Sequence, residues 1–446
     1  MLGDSISLVY CIPFVGMLLS IAIFPIVKGE WWENNQGKVV IIWALLFLIP
    51  FWIGFGFETM FEQLLEVVVG DYLTFIILLF GLFCVAANIS LDGNFSGSTR
   101  NNIILIIIGT ALASWVGTTG ASMIMIRPVL RANKWRKNKI QTVVFFIFLV
   151  SNMGGGLTPV GDPPLLMGFM RGVPFFWSFN VFPVLLLNAV ILLVIYGILD
   201  SRAYKRDIAA GLKPPAKDPN KKTHVIGLHN VIFLGMIIFA VIISGVLPST
   251  EMFGGGIHIY GEVELTYSAI IECVIILVAA FLSFKTSKKE VREHNNFTWG
   301  PIREVAVLFI GIFITMIPAL LILKAKGASL GLTEPWQMFW ITGALSSFLD
   351  NTPTYLVFLT TAGTLGATTG VTTTVGVVST ELLLAISCGA VFMGANTYIG
   401  NAPNFMVKSI AEENGVKMPS FFGYLFWSVR FLIPVFVIDM LVFFLF

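Results

Sequence analysis

Two aspartates interrupt stretches of the chain that are otherwise apolar, and both stand among hydroxyl and amide side chains. Asp162 follows Thr158 and precedes two prolines, and Asp350 is followed directly by Asn351 and Thr352. Carboxylate, hydroxyl, amide and carbonyl oxygens are the ligands that a hard cation such as sodium needs when it leaves water. Burial favours the protonated form of a carboxylic acid, and a bound cation favours the ionised form. Asp162 and Asp350 are therefore predicted to bind sodium in exchange for a proton.

The other candidate binding residues lie in the same kind of sequence. Four apolar stretches are broken by small, polar or proline residues, at 117–120, 152–164, 349–353 and 396–403. Non-helical backbone at membrane depth survives only where it lines a cavity or packs inside protein, because hydrocarbon cannot satisfy its N–H and C=O groups. We therefore expect the function at these breaks. The predicted ion- or substrate-binding residues are Thr118, Thr119, Ser151, Asn152, Thr158, Asp162, Asp350, Asn351, Thr352, Asn396, Thr397 and Asn401.

A second interpretation of the two aspartates stays open. Each precedes a stretch that can begin a half-helix, where an aspartate side chain can cap the helix by accepting backbone N–H groups. An ionisable residue in the bilayer is by default a functional hypothesis, which favours binding. The three other charges within apolar stretches, Glu272, Arg430 and Asp439, are assigned structural or interfacial roles.

Composition places these breaks in a membrane protein. The chain has 446 residues, 57% hydrophobic and 12% charged, whereas soluble domains carry roughly 25% charged residues. At about 20 apolar residues per span, this length supplies roughly ten to fourteen spans. A net charge of +2, without a basic tail or a basic cluster interleaved with aromatic residues, excludes nucleic acid as a partner. The four cysteines form no CxxC pair, and no nucleophile stands beside a base, so we predict neither a zinc site nor an enzyme.

The apolar stretches predict an all-α polytopic protein with ten crossings and two re-entrant hairpins. The hairpins are residues 101–131 and 335–362, and the crossings that unwind in their middle are 140–173 and 381–411. The eight plain spans are 8–27, 39–56, 72–89, 180–199, 226–247, 266–284, 305–323 and 420–446. Each is close to the length that crosses a bilayer.

The distribution of basic residues predicts the orientation of these spans. With the N-terminus outside, the cytoplasmic loops hold 23 of the 27 lysines and arginines. Cytoplasmic loops of membrane proteins carry such an excess of positive charge. Both termini are therefore predicted on the external side.

The two halves of the chain resemble each other. Residues 111–119 align with 344–352, and residues 158–164 align with 397–403, in the same order. Each half then has five crossings, and this odd number inverts the second half, as in secondary transporters that bind their substrate at the midplane. The predicted domains are a first repeat at 1–200, a basic cytoplasmic linker at 201–225 and a second inverted repeat at 226–446.

The four breaks resemble those of the ion transporter superfamily, which includes NhaD-type sodium/proton antiporters, arsenite permeases and citrate or dicarboxylate carriers. The motifs are Gly-Thr-Thr-Gly at 117–120, Thr-Pro-Val-Gly-Asp-Pro-Pro at 158–164, Asp-Asn-Thr-Pro at 350–353 and residues 396–403. The hairpin tips read Gly-Thr-Thr and Asp-Asn-Thr, where dicarboxylate carriers of the superfamily have Ser-Asn-Thr. The resemblance implies a homodimer in the bacterial inner membrane.

Two functions follow as expectations. The first is sodium/proton antiport by alternating access at the aspartate, asparagine and threonine side chains. The alternative is a sodium- or proton-coupled carrier of citrate or a dicarboxylate, whose anion the half-helix N-termini could bind. The predicted partners are an inorganic cation, a proton, a carboxylate in the alternative, and the lipid bilayer. No cofactor is expected besides sodium.

Overall fold

The predicted all-α polytopic class is confirmed. The computed structural model describes residues 2–93, 95–215, 223–250, 252–295 and 297–445. Within these ranges, nine helices are long and apolar enough to cross a membrane. Two shorter apolar helices, Asn230–Val246 and Thr380–Asn396, accompany them.

Sixteen helices carry the architecture. In chain order they are α1 (Ile12–Val27), α2 (Gly29–Phe55), α3 (Leu73–Ala87), α4 (Thr99–Val116), α5 (Thr118–Ala132), α6 (Ile140–Leu149), α7 (Pro163–Met170), α8 (Phe182–Ala209), α9 (Asn230–Val246), α10 (Tyr267–Thr286), α11 (Gly300–Lys326), α12 (Pro335–Ser346), α13 (Asn351–Gly363), α14 (Thr380–Met393), α15 (Ala402–Glu413) and α16 (Phe421–Asp439). Shorter helical segments flank them at Leu2–Ser5, Leu8–Cys11, Phe57–Leu65 and Lys289–His294. The π-helical segments are Glu66–Tyr72 before α3 and Met440–Phe444 after α16.

The helices occupy the positions of the eight predicted plain spans, but several are longer. Helix α2 begins at Gly29 rather than at residue 39. Helix α8 runs on to Ala209 rather than ending at residue 199, so it extends into the predicted linker at 201–225. The other end of the predicted linker contains a strand, His224–Ile226, and residues 216–222 of it lie outside the described residues.

A buried ion triad explains the extension of α8. The Arg136 guanidinium bonds to Asp200 at 2.7 Å and to Asp207 at 3.1 Å, and all three side chains are fully buried. The two aspartates are seven residues apart, so both lie on one face of α8. Removing one partner would leave a buried charge uncompensated, so the three residues must stay together. Because Asp200 and Asp207 meet Arg136 from one face of a helix, the triad favours helix in α8 beyond its apolar stretch.

Three short two-stranded antiparallel sheets lie at helix ends. The first pairs β1 (Ser90–Asp92) with β2 (His224–Ile226), and thereby connects the ends of α3 and α9. The others are β3 (Gly256–Tyr260) with β4 (Val263–Thr266), and β5 (Val371–Thr373) with β6 (Gly376–Val378).

The first unwound crossing lies in the interior of the protein. In the 140–157 segment, which contains α6, 89% of the residues are buried in protein, against 28% for the apolar window of α2. An apolar side chain facing lipid gains nothing by burial in protein, so α2 can remain at the periphery while polar backbone must be enclosed. The breaks are thereby kept away from lipid.

Candidate ion-binding site

The two hairpins turn at different kinds of residue. Helices α4 and α5 meet at Gly117, whose φ of 79° is a conformation that favours glycine. Helices α12 and α13 are separated by residues 347–350, and Asp350 is the N-cap of α13. Both hairpin tips therefore present a half-helix N-terminus, at Thr118 and at Asn351.

The two unwound crossings present a half-helix N-terminus in the same way. After α6, the chain leaves the α-helix at residues 150–162 and resumes it at Pro163. After α14 and a short 3-10 turn, it is non-helical at residues 397–401 and resumes at Ala402. Asp162 and Asn401 are the N-cap residues of α7 and α15, and they are the positions that align between the two halves.

Matching hydrogen bonds hold each break against the hairpin of its own half. The Thr158 hydroxyl donates to the Ser114 carbonyl oxygen, and the aligned Thr397 donates to that of Ser347 at 2.5 Å. The two serines return bonds to the backbone of the unwound crossings, Ser114 to Gly154 O at 2.5 Å and Ser347 to Met393 O at 3.1 Å. The same construction occurring twice is what the aligned sequences predict.

Glycines allow this close approach of backbone. A Cβ added at Gly161 would lie 2.3 Å from the carbonyl oxygen of Gly155, and one added at Gly400 would lie 2.5 Å from that of Gly394. Real Cβ atoms do not tolerate such distances to backbone. The tight loops therefore require glycine at these aligned positions.

The Asp162 carboxylate joins its own break to the other three. Its Oδ1 accepts from the Thr118 hydroxyl at 2.9 Å and from Asn401 Nδ2 at 3.3 Å, and its Oδ2 accepts from Asn351 Nδ2 at 2.8 Å. These donors come from both hairpin tips and from the second unwound crossing. Asp162 is 1% exposed, so the three bonds satisfy a charge-bearing group inside the protein.

The prolines after Asp162 explain why its side chain is free to do this. An N-cap aspartate normally accepts the backbone N–H of the second or third helical residue. In α7 the first two residues are Pro163 and Pro164, which have no N–H, and the third, Leu165, donates to the Asp162 backbone oxygen at 3.1 Å. The Asp162 side chain makes no capping bond.

Asp350 differs because the residue two positions after it has an N–H. The Thr352 N–H donates to Asp350 Oδ1 at 3.0 Å, so this side chain caps α13. Its carboxylate still interacts electrostatically with that of Asp162. Capping, the second interpretation of the sequence, is what Asp350 does in this structure, and its binding of sodium stays a prediction.

Asparagines connect the two unwound crossings to each other. Asn152 Nδ2 donates to Asn404 Oδ1 at 2.7 Å, and Asn401 Nδ2 donates to Asn152 Oδ1 at 3.2 Å and to the Ser151 carbonyl oxygen at 3.3 Å. Asn404 in turn donates to the carbonyl oxygens of Gly394 at 2.9 Å and Thr397 at 2.8 Å. The unpaired backbone of the breaks is thus satisfied by amide side chains rather than by helix.

The remaining predicted residues lie around this centre. Ser151 shares a hydrogen bond of 2.8 Å with Ser122, and the Thr352 hydroxyl donates to Asn351 Oδ1 at 3.4 Å. Asn396 Nδ2 donates to the Ser347 hydroxyl at 2.9 Å. Thr119 is half-buried beside Thr118.

Sequence reasoning missed four members of the network. They are the buried residues Ser114, Ser122, Ser347 and Asn404. Ser114 and Ser347 align between the halves, and that alignment was the available signal for them. For Asn404 the signal was its position in the alignment of the two halves. It directly follows Pro403, and the aligned residue of the first repeat is Leu165, so an amide replaces an apolar side chain.

This arrangement combines features that suit a cation and an anion. Asp162 and the surrounding hydroxyl and amide oxygens are hard donors of the kind that sodium takes. The N-termini of α5, α7, α13 and α15 carry partial positive charge, which favours an anion. The three side chains bonded to Asp162 are all neutral.

One protein family matches the chain. A profile of the family described as "Putative citrate transport" aligns with residues 3–444. A search of curated proteins finds no match. The family match includes every helix from α1 to α16, and thus every residue of the site.

Proposed function

We propose a substrate and a coupling ion for this chain on the premise that it belongs to the family described as "Putative citrate transport" and is an integral membrane transporter. The substrate is citrate or a related carboxylate, and the coupling ion is sodium or a proton bound at Asp162. Asp162 and the half-helix N-termini perform these two roles by different chemistry.

The observation that carries the coupling site is the position of the Asp162 carboxylate. Its bonds to Thr118, Asn351 and Asn401 reach both hairpin tips and the second unwound crossing. A cation or proton bound to this carboxylate competes with the three donors for its oxygens. Binding therefore changes the strength of the hydrogen bonds that hold the breaks together. Sodium can also recruit amide oxygens, because a half-turn of either asparagine presents its oxygen in place of its NH₂ group.

The half-helix N-termini support an anionic substrate. Helices α5 and α13 begin at the hairpin tips that contact Asp162, and α7 and α15 begin at the two N-cap positions joined by the 3.3 Å bond. Partial positive charge at a helix N-terminus stabilises a carboxylate without a lysine or arginine. A multivalent carboxylate beside an ionised aspartate is repelled unless a cation lies between them, which gives the coupling its electrostatic reason.

Sodium/proton antiport is the second candidate. Asp162 supports it as well, because a carboxyl group bonded to neutral donors alone can exchange a proton for sodium without an organic substrate. A second carboxylate, Asp350, interacts electrostatically with Asp162, and repulsion between two like charges favours the binding of a cation or a proton. The two functions differ in whether sodium moves protons when citrate is absent.

Transport in proteoliposomes tests the proposal. The purified full-length chain is reconstituted and given an inward sodium gradient or an inward proton gradient, in separate runs with radiolabelled citrate. We expect citrate uptake with one of the two gradients and its loss in Asp162→Asn. Glu381→Gln is the matched control, since it makes the same chemical change at an exposed residue of α14 outside the site.

Two results would decide against citrate. Failure of both gradients to drive uptake of citrate, or of a panel of di- and tricarboxylates, would overturn the carrier. Sodium-dependent proton movement in citrate-free vesicles, followed with an internal pH dye and absent from Asp162→Asn, would establish antiport instead. Empty vesicles and vesicles with Asp162→Asn set the background for both measurements.

A further inference from the structure

A second carboxyl group lies buried between two long helices, outside the site described above. Asp439 is the last residue of α16 and directly precedes the π-helical segment Met440–Phe444. Asn188 of α8 donates from Nδ2 to Asp439 Oδ2 at 2.9 Å, and both residues are 0% exposed. A π-helical turn in an α-helix often marks a functional site, and an ionisable residue inside a membrane span is a functional hypothesis by itself.

Each of these two side chains has an oxygen without a hydrogen-bond partner. Among the residues that the structure describes, neither Asn188 Oδ1 nor Asp439 Oδ1 meets a donor. An ionised carboxylate would leave two buried acceptors unsatisfied, one of them on a charged group, which is costly in a water-free interior. A single proton on Asp439 changes this, because a carboxylic acid has one O–H donor besides its acceptor oxygen.

We propose that Asp439 is a proton-binding site and that its proton is donated to Asn188. A carboxylic acid and a primary amide can form two hydrogen bonds in a ring, one N–H to O and one O–H to O. The structure contains the first bond, and the proton supplies the second between the two oxygens that lack partners. The protonated pair then links α8 to α16 without a net charge.

The surroundings of Asp439 favour a proton over a metal cation. The neighbouring titratable group is the buried Cys388 thiol of α14, which interacts with Asp439 electrostatically. From α12, Trp340 Nε1 donates to Met440 Sδ at 3.0 Å. Arg430, nine residues earlier on α16, is exposed. The three side-chain oxygens of Asp439 and Asn188, beside a thiol, are too few hard ligands for sodium, whereas one proton satisfies the two oxygens that lack partners.

The site joins the final helices of the two predicted repeats. Loss of the proton would place an uncompensated charge between α8 and α16, so proton release requires water or a separation of the two helices. Asp439 therefore adds to the protein a protonatable group that is chemically separate from Asp162. The proposal is independent of the transported substrate.

Infrared spectroscopy of the purified full-length protein tests this directly. A protonated carboxyl group has a C=O stretching band at higher frequency than carboxylate and amide bands. We expect such a band at neutral pH in the native protein and its loss in Asp439→Asn, whose amide can pair with Asn188 and so keeps the fold. Asp350→Asn should retain the band.

A second variant covers the case in which Asp439→Asn does not fold. Asn188→Leu removes the partner and leaves the acid, so the band should persist and shift to higher frequency as its hydrogen bonding is lost. Native and Asp439→Asn spectra that are identical in this region would overturn the proposal. So would a carboxylate band that Asp439→Asn removes and that moves when sodium is added, since it would show an ionised, cation-binding aspartate.

Discussion

Replacing Asp162 tests the centre of the site, and the structure gives the size of the effect. Alanine leaves two donors without an acceptor, namely the Thr118 hydroxyl and the Asn351 amide, whereas the Asn401 amide keeps its bonds to Asn152 and Ser151. Each buried donor left unsatisfied costs about 1–3 kcal/mol, so Asp162→Ala should destabilise the protein by about 2 kcal/mol or more. Asparagine keeps one oxygen, which can accept from Thr118 and Asn401. The new NH₂ group at position 162 then faces the NH₂ group of Asn351, and neither can accept from the other. The expected destabilisation of the protein is about 1–3 kcal/mol.

The assay is the unfolding midpoint of the purified protein, followed by tryptophan fluorescence in detergent over a series of sodium concentrations. A cation that binds only the folded state stabilises it by about 1.4 kcal/mol for each tenfold rise in concentration above its Kd. If the cation is sodium, we expect the native midpoint to rise with sodium and those of Asp162→Ala and Asp162→Asn to stay level. Choline chloride at matched ionic strength controls for general salt effects.

Either of two results would refute this reasoning. A sodium-dependent rise in Asp162→Asn equal to that of the native protein would mean that sodium binds elsewhere. Equal stability of the alanine and asparagine variants would mean that the Thr118 and Asn351 donors do not depend on an acceptor at position 162. The native unfolding midpoint could instead stay level with sodium while the alanine and asparagine variants still differ in stability. That result would assign the coupling to protons and would agree with the hydrogen-bond energies given above.

The remaining predictions concern the supports of the site. Asp350→Asn should keep the native unfolding midpoint because asparagine caps helices as well as aspartate, whereas Asp350→Ala should cost about 1 kcal/mol; equal midpoints would contradict the capping role. Gly161→Ala and Gly400→Ala should each abolish monodisperse protein in size-exclusion chromatography, since the new Cβ would lie 2.3 Å or 2.5 Å from a backbone oxygen, and native-like elution would disprove the required close approach. Arg136→Met should cost about 3–5 kcal/mol because two fully buried aspartates lose their counter-charge. Native-like denaturation of Arg136→Met would show that the triad does not hold α8.

Much of the fold follows from the sequence because a bilayer constrains it so strongly. Long apolar stretches must be helical where their backbone meets hydrocarbon, and they are helical here from α1 to α16. The four interruptions also coincide with the points where the helices break. Glycine, proline and asparagine act through local backbone geometry, so their effect can be predicted without knowing the neighbouring helices.

The different roles of Asp162 and Asp350 can be predicted from the residues that follow them. Both aspartates occupy N-cap positions, and the residue two positions later decides what each side chain can do. Pro164 offers no N–H to Asp162, whereas Thr352 offers one to Asp350. The local sequence therefore separates the aspartate that turns to the hairpin tips from the one that caps its own helix.

Only the tertiary structure decided which groups meet. Asp162 and its partner Asn401 are 239 residues apart, and Asn152 and Asn404 are 252 apart. Neither pairing could be deduced from local propensity, because it depends on how the two halves pack. The extension of α8 beyond its apolar stretch depends in the same way on Arg136, and the environment of Asp439 depends on Asn188. The sequence determined where the chain is helical and where its helices break, because backbone conformation depends on neighbouring residues. The folded arrangement determined which polar side chains form hydrogen bonds with one another, because a hydrogen bond requires its two atoms to lie close together in space.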